Sequence, residues 1–235
     1  MKFELIAFDA DDTLWENESL YARAQARFRE LLARYHPPEW IDARLYQTEM
    51  RNLAHFGYGV KAFTLSMIET AIELTEGQIC GEDIKFLIDQ GKQMLTAEIV
   101  LLEHAAETVA RLSQAYSLML VTKGDLLDQE SKVKRSGIQP YFEHIEIVSD
   151  KTPQSYAHVL QEHGVQPKNF LMIGNSLRSD VLPILELGGN AVYVPYVMTW
   201  MHEAAETPPQ GTPGFYQIEN LGQLPDLIAT LDKPS

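Results

Sequence analysis

Five short, almost uninterrupted apolar runs constrain the fold of this chain more than any other feature. They are "FELIAF" (Phe3 to Phe8), "YSLMLVT" (116–122), "HIEIVS" (144–149), "NFLMIGN" (169–175) and "NAVYVPY" (190–196). Runs of this length without a 3.6-residue rhythm predict strands covered on both faces, as in a parallel sheet. Helical stretches lie between them: "AAETVARLSQA" before the second run, "LLDQESKVKRSG" after it, "PQSYAHVLQEHG" before the fourth and "VLPILELGG" before the fifth. Three of these stretches end at glycine, Gly137, Gly164 and Gly188, as helices commonly do. Alternation of this kind predicts an α/β class with a doubly wound, mostly parallel Rossmann-like sheet.

Residues 16–99 break the alternation and read as helices only. Four segments succeed one another: "SLYARAQARFRELLARYH" up to Pro37 and Pro38, "EWIDARLYQTEMRNLAHFG", "VKAFTLSMIETAIELTE" and "EDIKFLIDQGKQMLTAE". In the first, Leu20, Ala24, Phe28, Leu31 and Tyr35 fall on one helix face. The "GYG" at 57–59 reads as a turn. The expected organisation is therefore a core domain of residues 1–15 and 100–235 with an all-helical cap domain inserted at 16–99. Near the end, "PPQGTPG" (208–214) reads as a loop and "DKPS" as a frayed terminus.

In open α/β sheets ligands bind outside the carboxyl ends of the strands, so chemistry should follow each apolar run. After the first come Asp9, Asp11 and Thr13. Residues two apart on an extended chain point the same way, roughly 7 Å apart. Two carboxylates so placed repel by about 2 kcal/mol at an effective dielectric of ~20. A bound cation or a retained proton would relieve that repulsion, and a solvated acidic turn is the other reading. After the second run come Thr122, whose hydroxyl suits a phosphate oxygen, and Lys123. The third run is followed by Lys151, a cation where acids gather, and the fourth by "GNSLRSD", which offers Asn175 and Asp180. Oxygen ligands of this kind suit Mg²⁺, which keeps several waters and takes one or two carboxylates.

Taken together, "DADDT", "LMLVTKG", Lys151 and "GNSLRSD" resemble the four motifs of the haloacid dehalogenase (HAD) superfamily, in its helical-cap phosphatase branch. The resemblance covers nearly the whole chain. It implies hydrolysis of a phosphate ester through an aspartyl-phosphate, with Asp9 as nucleophile and Asp11 as general acid and then base. It further implies that Thr122 and Lys151 hold the phosphoryl oxygens and that Lys151 keeps Asp9 ionised. Thr13 and Lys123 join the substrate-binding set, and Asp9, Asp11 (through its carbonyl), Asn175 and Asp180 hold Mg²⁺. Haloalkanoate dehalogenases of the superfamily generally lack the second Asp, and phosphonate-cleaving members carry Ala there, so Asp11 favours phosphate esters. A phosphomutase sharing Asp9 and Asp11, or a binding protein whose catalysis has lapsed, fits the same motifs. Asn175 stands where many members have Asp, which implies weaker Mg²⁺ binding.

The cap is expected to close over the site and favour a small phosphorylated metabolite. Arg23, Arg51, His55 and Lys61 of the insert, Trp15, and His202 in "YVMTWMHE" (196–203) are candidates for substrate contact, and each also reads as ordinary surface or packing. A formal net charge of −14 argues against a nucleic-acid or anionic-membrane partner. The single cysteine, Cys80, cannot form an internal disulfide, no apolar run reaches ~20 residues, and Glu4 and Asp9 interrupt any signal-peptide pattern. A cytoplasmic location is the resulting expectation. The oligomeric state is not legible.

Overall fold

The structure, a computed structural model, describes residues 3–198, 200–203 and 205–232. The last three residues of "DKPS" and Thr199 within "YVMTWMHE" lie outside the described residues.

Along the chain, β1 (Leu5–Phe8) is followed by α1 (Glu18–Leu32), α2 (Pro38–Phe56), α3 (Val60–Leu74) and α4 (Gly81–Leu95). Alternation then begins with α5 (Ala105–Leu112), β2 (Ser117–Lys123), α6 (Leu126–Arg135), β3 (His144–Val148), α7 (Pro153–Glu162) and β4 (Phe170–Gly174). It ends with α8 (Leu182–Glu186), β5 (Asn190–Tyr193), β6 (Phe215–Gln217) and α9 (Leu224–Leu231). The chain divides into two compact units. One comprises Met1–Glu18, Ile99–Lys123 and Gln129–Ser235; the other comprises Ser19–Glu98 and Gly124–Asp128.

In the first unit the strands form one six-stranded sheet in the order β3-β2-β1-β4-β5-β6. Every neighbouring pair is parallel, so all carboxyl ends emerge at one edge. The doubly wound Rossmann-like α/β sheet expected from the apolar runs is the fold observed. The two-residue period of a strand sorts its side chains onto two faces. Ile6, Phe8, Leu118, Leu120, Leu171 and Ile173 pack with Val109 of α5, Val133 of α6 and Ile228 of α9. Leu5, Ala7, Met119, Val121, Phe170 and Met172 face Tyr156, Val159 and Leu160 of α7 and Ile184 of α8. Each fully buried Leu, Ile or Phe contributes roughly 1.5–3 kcal/mol by leaving water, which explains runs that are apolar on both faces.

In this unit two details differ from the sequence reading. The sheet has a sixth strand, β6, whose three residues follow the expected loop at 208–214 and are too short for a periodic signal. The helix read as "VLPILELGG" (181–189) is shorter, with α8 over Leu182–Glu186, and a π turn over Leu177–Val181 precedes it.

In the second unit α1 stops at Leu32 rather than running to Pro37, and it buries Ala24, Phe28 and Leu32 at i, i+4 and i+8. Leu31 and Tyr35 are only partly buried at its margin. Helix α2 buries Ile41 and Leu45, and α3 buries Phe63, Met67 and Ala71, into the same cluster. Gly57, with φ 68, turns the chain between α2 and α3 where a side chain would be strained. Segment Gly124–Asp128, which the sequence reading left with the sheet, clusters here, and Lys61 pairs with Asp125 at 2.8 Å.

Gly91 sits inside α4 facing Thr64 of α3, and a Cβ there would lie 2.3 Å from Thr64 Oγ1. Helix propensity alone favours Ala over Gly by about 1 kcal/mol. Here the close approach wins, and Gly91→Ala should destabilise the chain by about 1–3 kcal/mol in chemical denaturation. Most of that loss should be recovered in Gly91→Ala/Thr64→Ala, and a stabilised Gly91→Ala would contradict the packing described.

Candidate active site

The four motif-bearing segments meet at the carboxyl edge of the sheet. Phe8 registers with Leu120 of β2 and Ile173 of β4, and Asp9 continues β1 by donating its N–H to Ile173 O at 2.8 Å. Thr122 pairs with Ile147 of β3 and Lys123 with Val148, so β2 runs on to the same edge.

At the centre stands Lys151, whose side chain is 1% exposed. Its ammonium donates to Asp9 Oδ1 at 2.5 Å and to Asp180 Oδ1 at 2.8 Å. Burial works to lower the Lys151 pKa, but Asp180 and Asp9 hold it well above the usual value. Asp9 is pushed up to about 7 by burial, with Lys151 pulling down and Asp180 and Asp11 adding to the rise. Two buried carboxylates thus share one ammonium, and one negative charge is left over.

Thr13 organises the other oxygen of Asp9. Its hydroxyl donates to Asp9 Oδ2 at 2.8 Å and accepts the Asn175 N–H at 3.0 Å. Asn175 Oδ1 is 3.2 Å from the same hydroxyl. A hydroxyl has one proton, and the shorter contact to a charged acceptor takes it. The Asn175 amide oxygen therefore keeps lone pairs for another partner. Asp180 Oδ2 accepts the Ser176 N–H at 3.0 Å and lies against Gly174, where a Cβ would come within 2.2 Å of that oxygen. Only glycine leaves room for the carboxylate.

Among the described residues no three His, Cys, Asp or Glu side chains gather to hold a metal ion. Asp9 and Asp180 are two such groups, and further donors have to be amide or carbonyl oxygens. An all-oxygen set with a surplus negative charge and an available amide oxygen fits a hard divalent cation such as Mg²⁺.

Asp11 has surroundings of its own. Its carboxylate accepts from Trp15 Nε1 at 2.7 Å, from Gln129 Nε2 at 2.9 Å and from Lys132 Nζ at 3.0 Å to both oxygens. Burial raises the Asp11 pKa, but Lys132 foremost, then Gln129 and Trp15, bring it below the ordinary carboxylate value. Lys132 also donates to Asn17 Oδ1 at 2.9 Å. Asp12 points the other way, takes a left-handed backbone with φ 61, and accepts the N–H groups of Asn17 and Glu18 where α1 begins.

A model of the haloacid dehalogenase-like hydrolases matches residues 3–188, most of the chain and all four motifs. The chain belongs to this family. A haloacid dehalogenase-like family hydrolase from Xanthomonas campestris is 41% identical, with a TM-score of 0.88 over 98% of this chain and 92% of that one. The N-acylneuraminate-9-phosphatase of Mus musculus is 24% identical over 97% of this chain and 94% of its own length. The glyceraldehyde 3-phosphate phosphatase of Pyrococcus furiosus is 24% identical over 83% of this chain and 82% of its own.

Within this HAD-like site the sequence motifs named Asp9, Thr13, Lys151, Asn175 and Asp180, which the structure brings into one hydrogen-bonded group. Thr122 is buried at the neighbouring strand end. Trp15, a candidate for substrate contact, is instead fully buried as a donor to Asp11. Lys123 is engaged by Glu203 at 2.5 Å and by Ser179 at 2.8 Å. His202 lies beside Arg178. Arg51 pairs with Glu69 and Glu73, Arg23 lines a cleft between α1 and α4 with Arg27, Gln90 and Gln93, and His55 stands exposed beside Phe56. Motif reading missed Gln129, Lys132, Ser176, Ser179 and Glu203. The first two sit inside a helix, where no strand end marks them. No helix among the described residues is long and apolar enough to cross a membrane.

Removing the shared ammonium exposes the surplus charge. Lys151→Met, studied with a chelator present, should lose about 3–5 kcal/mol of stability at pH 8 because two buried carboxylates face each other unpaired. Acids whose folded pKa lies above the unfolded value bind protons preferentially in the folded state, so stability rises as pH falls. The deficit should therefore shrink between pH 8 and pH 5. A deficit independent of pH would contradict this account.

Proposed function

We propose that this HAD-like hydrolase cleaves small phosphate monoesters with Mg²⁺ as cofactor, through a phosphorylated Asp9. The observation that carries the reading is the pairing of Asp9, bridged to Asp180 by Lys151, with a second acid two residues away held in a separate hydrogen-bonded pocket. Two carboxylates with unlike surroundings suit two roles, nucleophile and proton carrier. The phosphatase names of the two 24%-identical relatives point the same way.

In this mechanism a carboxylate oxygen of Asp9 attacks phosphorus, and the ester oxygen departs with a proton from Asp11. Asp11, now ionised, takes a proton from water as that water attacks the phosphorus, which frees Asp9 and releases phosphate. The depressed pKa of Asp11 suits the second, basic step, and in the first step the negative charge of the bound phosphate ester favours the protonated form of Asp11. Lys151 keeps Asp9 ionised and, with the Thr122 hydroxyl, binds the phosphoryl oxygens. Asp9, the carbonyl of Asp11, Asn175 and Asp180 would hold Mg²⁺, which neutralises charge on the transferring group. Lys123, engaged by Glu203, is not needed at the phosphoryl group.

The direct test is phosphate release from p-nitrophenyl phosphate and a panel of phosphorylated metabolites. Turnover should require Mg²⁺ and disappear in Asp9→Asn, while the same variant keeps its fold by circular dichroism. Interconversion of phosphorylated isomers without phosphate release would favour a mutase instead.

Lys132 offers a separate check on the role of Asp11. Lys132 holds Asp11 ionised, so Lys132→Met should raise the Asp11 pKa and weaken it as the base that activates water. That step is shared by all esters, so kcat near neutral pH should fall about 10-fold for alkyl phosphates and p-nitrophenyl phosphate alike, and recover as pH rises. A loss that does not recover at high pH would remove Lys132 from the proton-transfer step.

A further inference from the structure

Beyond β5 the chain returns over the carboxyl edge of the sheet, and Met201–Glu203 form a single 3₁₀ turn there. Glu203 reaches down from it into a polar cradle. Its Oε2 accepts from Ser176 Oγ and from Ser179 Oγ, both at 2.5 Å, and its Oε1 accepts from Lys123 Nζ at 2.5 Å. The carboxylate side chain is 12% exposed. Burial raises its pKa, but Lys123 and the two serine hydroxyls outweigh that and set it at about 2. Three donors therefore converge on one carboxylate.

The walls and the occupant of this cradle differ in how they are held. Lys123 ends a strand in the sheet and follows Thr122. Ser176 and Ser179 belong to the turn after β4, where Ser176 Oγ caps the Ser179 N–H at 3.0 Å, and they flank Asn175 and Asp180. The occupant comes on a stretch without strand or α-helix, tied by the Arg178 guanidinium to His202 O at 2.7 Å and by the contacts of Glu203 itself. An anion cradle whose three residues adjoin Thr122, Asn175 and Asp180 along the chain is thus filled by the chain's own carboxylate.

We propose that Lys123, Ser176 and Ser179 form a carboxylate subsite for the substrate, which Glu203 fills in this structure and yields on binding. The substrate class is then small phosphate esters that also carry a carboxylate. This rests on the phosphatase reading and narrows it. Exchanging one carboxylate for another conserves the three charge-assisted hydrogen bonds, whereas a neutral hydroxyl in the cradle would leave the lysine and the serines poorly matched. Sites built around buried polar donors reject ligands that lack the matching group.

The test compares 3-phosphoglycerate with glycerol 3-phosphate, which differ by a carboxylate against a hydroxymethyl group, with p-nitrophenyl phosphate as a common reference. The wild type should prefer 3-phosphoglycerate in kcat/KM by about tenfold or more, the worth of one good charged hydrogen bond. Glu203→Ala should widen that preference about tenfold further, and Ser179→Ala on top of it should cancel the gain. Glu203→Gln, which keeps the side-chain volume, should move in the same direction if the alanine variant folds poorly. Equal changes on both esters in the Glu203 variants would make Glu203 a strut and overturn the subsite. So would turnover of all three esters by the wild type without a carboxylate preference. No turnover of any ester, p-nitrophenyl phosphate included, would instead overturn the phosphatase reading itself.

Discussion

The site depends on one buried ammonium set between two buried carboxylates. Burying a charge costs several kcal/mol, and Lys151, Asp9 and Asp180 are all nearly inaccessible. Contacts of 2.5 and 2.8 Å offset that cost, since opposite unit charges at such distances attract by about 6 kcal/mol at an effective dielectric of ~20. The balance is local, and it leaves one uncompensated negative charge. Burial, and after it the second carboxylate of Asp180, raises the pKa of Asp9, and the remaining charge suits the divalent cation that the donor set fits. A structure this costly in desolvation is poor as a stability device and makes sense as chemistry held ready.

Topology is what allows three residues from 9 to 180 to share one point. In an all-parallel sheet every carboxyl end lies at the same edge, and β1 sits between β2 and β4. Asp9 therefore has the ends of β2 and β4 on either side, and Lys151 arrives just past β3, one strand further out. The glycine at 174 has the same origin. The turn after β4 folds back tightly enough for Asp180 to lie against its backbone, and any side chain there would displace the carboxylate.

What the sequence disclosed follows from the same geometry. Apolar runs are visible because a strand covered on both faces cannot afford polar residues, and a functional group just after such a run is conspicuous. Asp9, Thr13, Lys151, Asn175 and Asp180 were legible for that reason. Lys132 and Gln129 were not, because both lie inside α6, where a polar residue on a charged helix looks like solvated surface; only the fold reveals that Lys132 is 4% exposed and aimed at Asp11. Glu203 was hidden differently. The stretch around it drew attention for its aromatics and His202, but no periodicity marks an irregular segment, so which side chain turned inward could not be read. The end of α1 was misjudged because Pro37 sets only an upper limit on a helix, while burial of Leu32 and the turn beyond it set the actual one.

The net charge of −14 sets a problem that the three site lysines answer. An anionic ester approaching this chain meets an unfavourable overall field, and long-range steering cannot help it. Lys123, Lys132 and Lys151 are each committed to a carboxylate: Glu203, Asp11, and Asp9 with Asp180. Because every one of these cations is already neutralised, the site presents no bare positive charge to solvent or to stray anions. A substrate gains only if it can take the place of an internal carboxylate or bring a cation of its own. Discrimination then rests on exchange at short range, and an acidic surface, which repels anions that fit badly, becomes compatible with an anionic substrate that fits well.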